Sequence, residues 1–211
     1  MRGLFVVVEG IEGSGKSTLT ANVARTLRAD GRDVLETREP GGTPLGDAVR
    51  SILLDDPSRA ISPLGEAMLL SAARAQHVDD VLEPALAAGG TVVCDRYALA
   101  TLAYQGYGRG VPLETLRALN ALATRGCTPD LIIVVDVPVA VSVERIAARS
   151  ASSGRPIDRM EREREAFHAR VRDGYLELAR SESNIVVLDG TRSPAEIAGD
   201  ALRALAGAVV R

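Results

Sequence analysis

The stretch Gly10-Ile11-Glu12-Gly13-Ser14-Gly15-Lys16-Ser17-Thr18 follows the apolar run Leu4-Phe5-Val6-Val7-Val8 with only Glu9 between them. It fits the phosphate-binding pattern G-x-x-x-x-G-K-[ST], and the apolar run reads as the buried strand that precedes such a loop. The glycines let successive backbone N–H groups turn inward around phosphate oxygens. A helix beginning at Ser17 adds the partial positive charge of its N-terminus. Lys16 is the only lysine among 25 Lys and Arg residues. Arginine therefore serves every other basic position, and this one needs a compact point charge on a flexible stem.

Further reactive side chains follow the next apolar runs. Thr37-Arg38-Glu39-Pro40-Gly41-Gly42-Thr43 comes after the second, Asp95-Arg96-Tyr97 ends the third, and Thr101-Leu102-Ala103-Tyr104-Gln105-Gly106 lies just beyond. Asp95 is placed to hold Mg²⁺ through water, with the Ser17 hydroxyl as a direct ligand. The competing reading of Asp95 is an ion pair with Arg96. The phosphate loop and a metal already serve one nucleotide, so Arg38, Arg50, Arg96 and a further arginine near residue 150 point to a second phosphate group. A phosphate acceptor is already ionised near neutral pH (second pKa about 6), so transfer to it needs positioning and charge rather than a general base. A hydroxyl acceptor would need a carboxylate within hydrogen-bond reach.

Elements that alternate in type must position these groups. Apolar runs at Leu4–Glu9, Val34–Thr37, Thr91–Asp95, Leu131–Asp136 and Ile185–Leu188 read as strands buried on both faces of a parallel sheet. Helical patterns lie between them at Ser17–Ala29, Leu45–Leu54, Leu64–Ala88 (kinked near Pro84), Pro112–Ala123, Val139–Arg149, Arg159–Ser181 and Pro194–Val209. The alternation predicts an α/β doubly wound fold of five parallel strands with helices on both faces. Ligands in such folds bind beyond the carboxyl ends of the strands, which gathers Lys16, Arg38, Glu39, Asp95 and Arg96 around one cleft. Ser150-Ala151-Ser152-Ser153-Gly154-Arg155-Pro156 reads as a flexible loop flanked by arginines, a candidate lid over residues 149–161. His77 and His168 read as core histidines without a role.

Bulk properties narrow the possible partners. At 211 residues the chain fits a single domain, and a net charge of −3 argues against nucleic acid as the main partner. No stretch reaches membrane-span length or looks like a secretion signal, so the cytoplasm is expected. Cys94 and Cys127 suggest neither a disulfide framework nor a metal site.

Taken in order, the motifs resemble those of the bacterial thymidylate kinases. Glu9–Thr18, Thr37–Thr43, Ala72-Ala73-Arg74-Ala75-Gln76, Asp95-Arg96-Tyr97, Ala103-Tyr104-Gln105-Gly106, Pro129-Asp130-Leu131 and Asp158-Arg159-Met160-Glu161 fall at the family's spacing. The resemblance implies transfer of the ATP γ-phosphoryl to dTMP with Mg²⁺, by a homodimer that acts on small nucleotides and touches neither nucleic acid nor membrane. It implies that Lys16 and the loop from Gly10 to Thr18 hold ATP. It places Arg96 on the acceptor phosphate and bridging toward the transferring group, with Arg38 and Arg50 as further contacts. Glu12 and Glu39 fall on the sugar side, Arg74, Thr101 and Gln105 at the base edge, and Tyr104 under the deoxyribose. Glu12 and Gly13 leave the loop without an arginine, so the resemblance moves the catalytic cation to the lid: Arg155 first, Arg149 second, with Arg149 also able to stack on adenine.

Two positions depart from the family pattern. Leu70 stands where a phenylalanine usually stacks on thymine, and Ala100 where a serine is common. An apolar cap over thymine, or a modified pyrimidine as the base, is the expectation. A deoxynucleoside kinase using Glu39 as base is the competing enzyme, although the tryptophan such enzymes usually add is missing here. A GTPase-type switch would need Asn-Lys-x-Asp, which a chain whose only lysine is Lys16 cannot supply.

Overall fold

Alternate residues of the central strands leave on opposite faces, and both faces are covered. The computed structural model describes residues 2–56, 58, 60–154 and 156–209. Strands β1 (Phe5–Glu9), β2 (Val34–Arg38), β3 (Thr91–Asp95), β4 (Leu131–Asp136) and β5 (Ile185–Asp189) form one parallel sheet in the order β2-β3-β1-β4-β5. Register is set by pairs such as Val7 with Cys94 and Val7 with Ile132. On one face, Val6, Val8, Val93, Ile133 and Val135 pack on Leu19, Val23 and Leu27 of α1 (Lys16–Ala29) and on Ile197, Ala201 and Leu205 of α9 (Pro194–Val209). On the other, Phe5, Val7, Val92, Cys94, Ile132 and Val134 meet Tyr97, Leu102, Leu116, Phe167 and Tyr175. Burial on both faces is why these strands read as continuous apolar runs.

The remaining helices are α2 (Pro44–Leu54), α3 (Pro63–His77), α4 (Glu83–Ala87), α5 (Ala98–Thr101), α6 (Leu113–Thr124), α7 (Val139–Ser153) and α8 (Glu165–Ser181). Three expectations change. The break expected near Pro84 comes earlier, as a π-helical turn over Val78–Leu82, and Pro84 sits in the first turn of α4, where its missing N–H matters least. Ser150–Ser153 are helical rather than loop, with the Ser152 and Ser153 hydroxyls donating to Arg149 O and Gly154 closing the helix at φ +66°. Residues 159–164 are not helix: Asp158 Oδ1 accepts the N–H groups of Met160 and Glu161 and holds a turn, so α8 begins only at Glu165.

A second π-helical turn, Leu102–Gly108, extends α5 and packs on α8. Sequence periodicity did not reveal it. Among the described residues no helix is long and apolar enough to cross a membrane.

Candidate active site

Gly10 adopts φ +140°, and a Cβ there would lie 2.4 Å from Val135 O, so only glycine lets the chain leave β1 against β4. The loop that follows carries Lys16, whose Nζ donates to Ile11 O at 2.7 Å. Burial depresses the Lys16 pKa to about 8, and the neighbouring Arg96 adds to the effect against the attraction of Asp95, Glu12 and Glu9. Ser17, one residue on, donates to Asp95 Oδ2 at 2.6 Å. The two oxygen ligands read from the sequence therefore meet at the tip of β3, and Asp95 faces Ser17 rather than Arg96. An all-oxygen pair of hydroxyl and carboxylate suits a hard cation such as Mg²⁺.

Arg96 is the focal cation. It sits at φ +72°, a left-handed conformation uncommon for a side chain of this size. That backbone turns the guanidinium back over the loop, where Nη1 donates to Gly10 O (2.8 Å) and Tyr175 Oη (3.1 Å). Nη2 donates to Glu12 Oε1 and Tyr104 Oη, both at 2.8 Å, and the guanidinium lies 4.7 Å from the Tyr104 ring centre. Tyr104 donates in turn to Glu12. Burial opposes ionisation of Glu12, but Arg96, His168 and Lys16 outweigh it and hold the carboxyl well below its ordinary range. Glu9, wholly buried, moves the other way: burial raises its pKa against the pull of Arg96 and hydrogen bonds from Tyr175 and the Tyr97 N–H.

A second buried group centres on Arg74. Arg74, 2 % exposed, donates from Nε to Glu39 Oε2 (2.8 Å), from Nη1 to Thr101 Oγ1 (3.1 Å) and Asn120 Oδ1 (2.8 Å), and from Nη2 to Tyr97 O (3.1 Å). The other oxygen of Glu39 lies 3.0 Å from His77 Nδ1, whose Nε2 is 2.8 Å from Thr37 Oγ1. His168 is also buried, with Nδ1 3.5 Å from Glu12 Oε2. Both histidines thus stand behind site carboxylates, a connection that isolated positions on two separate helices could not disclose.

One cleft of about 590 Å³ is lined by the loop residues Glu12, Gly13, Gly15, Lys16, Ser17 and Thr18 together with Arg38, Glu39, Arg50, Leu70, Arg74, Asp95 and Arg96. Ala100, Thr101, Tyr104, Gln105 and Arg149 line it too. Ile11 and Ser14 are buried beneath the loop, and Gly10 enters it from β1. Arg38 pairs with Asp47 at 3.4 Å and Arg50 donates to Pro40 O at 3.2 Å. Arg149 pairs with Glu161 at 2.7 Å. Arg155 lies outside the described residues.

Several lining groups escaped the sequence reading. Leu53 and Leu54 join Leu70 to give the cleft an aliphatic wall, and Arg145, one turn before Arg149, donates to Ser14 O at 3.4 Å. Glu66 also reaches the cleft, beside Arg159 and Met160 of the Asp158–Glu161 motif already noted in the sequence. The i, i+4 spacing of Arg145 and Arg149 was the available signal for Arg145.

Residues 8–200 match the family model described as thymidylate kinase. The chain is 50% identical over 197 residues to the thymidylate kinase of Deinococcus radiodurans, covering 93% of each sequence. It is 48% identical over 197 residues to that of Trichlorobacter lovleyi, covering 92% of this chain and 93% of the relative. The crystal structure of thymidylate kinase from Ehrlichia chaffeensis superposes with a TM-score of 0.77 at 28% identity, covering 97% of this chain and 99% of the other.

Proposed function

This chain belongs to the thymidylate kinase family, and we propose that the cleft seats ATP on the Gly10–Thr18 loop and dTMP against Arg96, Arg74 and the Leu70 wall. It is an ATP-dependent nucleoside monophosphate kinase on a P-loop α/β fold. The observation that carries the arrangement is the Arg96–Glu12 contact, which lays an acceptor-side guanidinium directly over the donor loop.

In the reaction a 5′-phosphate oxygen of dTMP attacks the γ-phosphorus while the bond to the bridging β–γ oxygen breaks, giving dTDP and ADP. The attacking oxygen is already ionised, so no proton has to leave it. Lys16 and the loop N–H groups neutralise the donor phosphates. Arg96 holds the acceptor phosphate and meets the charge that spreads over the transferring group, with Arg38 and Arg50 beside it. Ser17, and Asp95 through water, would hold Mg²⁺, which would supply charge neutralisation for the donor phosphates. Glu12 and Glu39 lie on the sugar side, with Tyr104 under the ring. Thr101 and Gln105 stand at the base edge. Residues 149–161 act as the lid of a single-domain enzyme, bringing Arg155, or Arg149, to the transferring group.

Glu39 supports a phosphate rather than a hydroxyl acceptor, because Arg74 and His77 engage both of its oxygens and hold it in the cleft wall. A coupled assay against dTMP, dUMP, dCMP and thymidine tests the reading: dTMP should be preferred, and turnover of thymidine without dTMP would overturn it. We extend the proposal to a cytoplasmic homodimer. Leu64 and Met68 of α3 and Leu122 of α6 are large apolar groups exposed on neighbouring helices, with Leu122 75 % exposed. Light scattering at working concentration checks it.

A further inference from the structure

Glu66 of α3 is 1 % exposed and is one of the residues that line the cleft. Its Oε1 accepts from Arg159 Nη2 at 2.7 Å, and Arg159 Nε is anchored on Leu53 O at 2.6 Å. Its Oε2 accepts from Gln105 Nε2 at 3.1 Å and Arg109 Nε at 3.3 Å. A carboxylate paired with two guanidinium groups can only accept hydrogen bonds, so the amide facing it must present its NH₂. The Gln105 carbonyl oxygen is thereby turned away. Gln105 is 3 % exposed, and its Oε1 is a buried atom without a hydrogen-bond partner. A buried unsatisfied acceptor at a cleft wall implies a donor supplied by the ligand.

From this geometry we propose that Glu66 is a positioning residue that locks the Gln105 amide with its carbonyl toward the base, so that the site takes a pyrimidine presenting a ring N–H beside a carbonyl and refuses one with that pattern inverted. The proposal rests on the reading that Gln105 borders the base. Arg74 stands on the same wall with four of its five N–H groups engaged. A donor beside an acceptor complements the C4=O and N3–H of thymine. Cytosine carries an amine and an unprotonated N3 at those positions, so both contacts would oppose. A flipped Gln105 would reverse the second preference, and only the partner behind the amide decides which way it faces. Glu66 is that partner.

The test is the ratio of kcat/KM for dTMP over dCMP in wild type, Glu66→Gln and Gln105→Ala, with thermal melting to confirm folding. A glutamine at 66 can donate as well as accept, which frees the Gln105 amide to turn. The expected result is a fall of about tenfold or more in the ratio for Glu66→Gln, carried by KM rather than kcat, with dCMP improved in absolute terms. A merely structural loss would lower both substrates together and leave the ratio unchanged, which overturns the proposal. If Gln105→Ala also leaves the ratio unchanged, the placement of Gln105 at the base has failed instead. Should Glu66→Gln not fold, the wild-type enzyme answers by NMR. The Gln105 side-chain amide protons, assigned by their loss in Gln105→Ala, should stay protected from exchange in the dTMP complex, and rapid exchange there would overturn the proposal.

Discussion

Arg96 Nη2 and Glu12 Oε1 lie 2.8 Å apart, joining the residue after β3 to the loop after β1. The contact holds a cation in place on the protein before any phosphate arrives, which reduces the reorganisation needed in the transition state. Arg96→Ala should therefore lower kcat/KM by roughly a hundredfold or more, with the far-ultraviolet circular dichroism retained. Arg96→Lys should rescue little, because an ammonium cannot reach Gly10 O, Glu12 and a phosphate together. Near-normal turnover by the lysine variant would remove Arg96 from the reaction.

In its proposed place on the ATP phosphates, Lys16 should make ATP affinity dependent on pH. Its pKa of about 8 in the free protein means the ammonium is lost as pH rises through 8, whereas bound polyphosphate favours the charged form. Above pH 8 binding must take up a proton, so the dissociation constant for ATP should rise by up to about tenfold per pH unit. Below pH 7 this dependence should vanish. Calorimetry in buffers of different ionisation enthalpy counts the proton directly, and no uptake at pH 8.5 would contradict the expectation.

Asp95→Asn should raise the Mg²⁺ concentration needed for half-maximal activity several-fold, while a fluorescent nucleotide titrated in chelator binds much as before. The reason is the 2.6 Å approach of Asp95 to Ser17. An unchanged Mg²⁺ dependence would assign the carboxylate a purely structural task.

Leu70 is part of an aliphatic wall with Leu53 and Leu54. Leu70→Phe should restore a stacking face and lower KM for dTMP by about threefold to tenfold. A higher KM would show that the wall is shaped for a different base.

Arg159 is committed to Glu66 and Leu53 O, and Arg149 to Glu161. Arg155→Ala, at the lid position that the family resemblance ranks first, is expected to lower kcat far more than it weakens ATP binding. Unchanged turnover would move the catalytic role to Arg149 or Arg159.

Much of this site was legible along the chain because its chemistry is local. The G-x-x-x-x-G-K-S loop, the strand before it and the helix after it are contiguous, and their phosphate-binding geometry depends on backbone conformation within a few residues. Near-continuous apolar strands at regular spacing likewise announced a sheet buried on both faces, and the strand-end rule collected Arg38, Asp95 and Arg96 around one cleft before any contact was known. The misreadings were also local in origin. Ser150–Ser153 looked like loop but continue α7, and the π-helical turn over Leu102–Gly108 has no distinctive periodicity.

What sequence alone determined, then, is the fold, the glycine-rich loop after β1 and the cast of side chains. Tertiary structure decided how those side chains are coupled. Glu12 and Arg96 are separated by 84 positions, Glu39 and Arg74 by 35, and Glu66 and Arg159 by 93. Whether such groups meet depends on how β1, β3, α3 and the turn before α8 pack, and so does the state of each carboxyl. Burial alone would raise both Glu9 and Glu12; the several cations and hydrogen bonds converging on Glu12 reverse the sign there. Distance and desolvation are properties of the packed chain, and no one-dimensional pattern contains them.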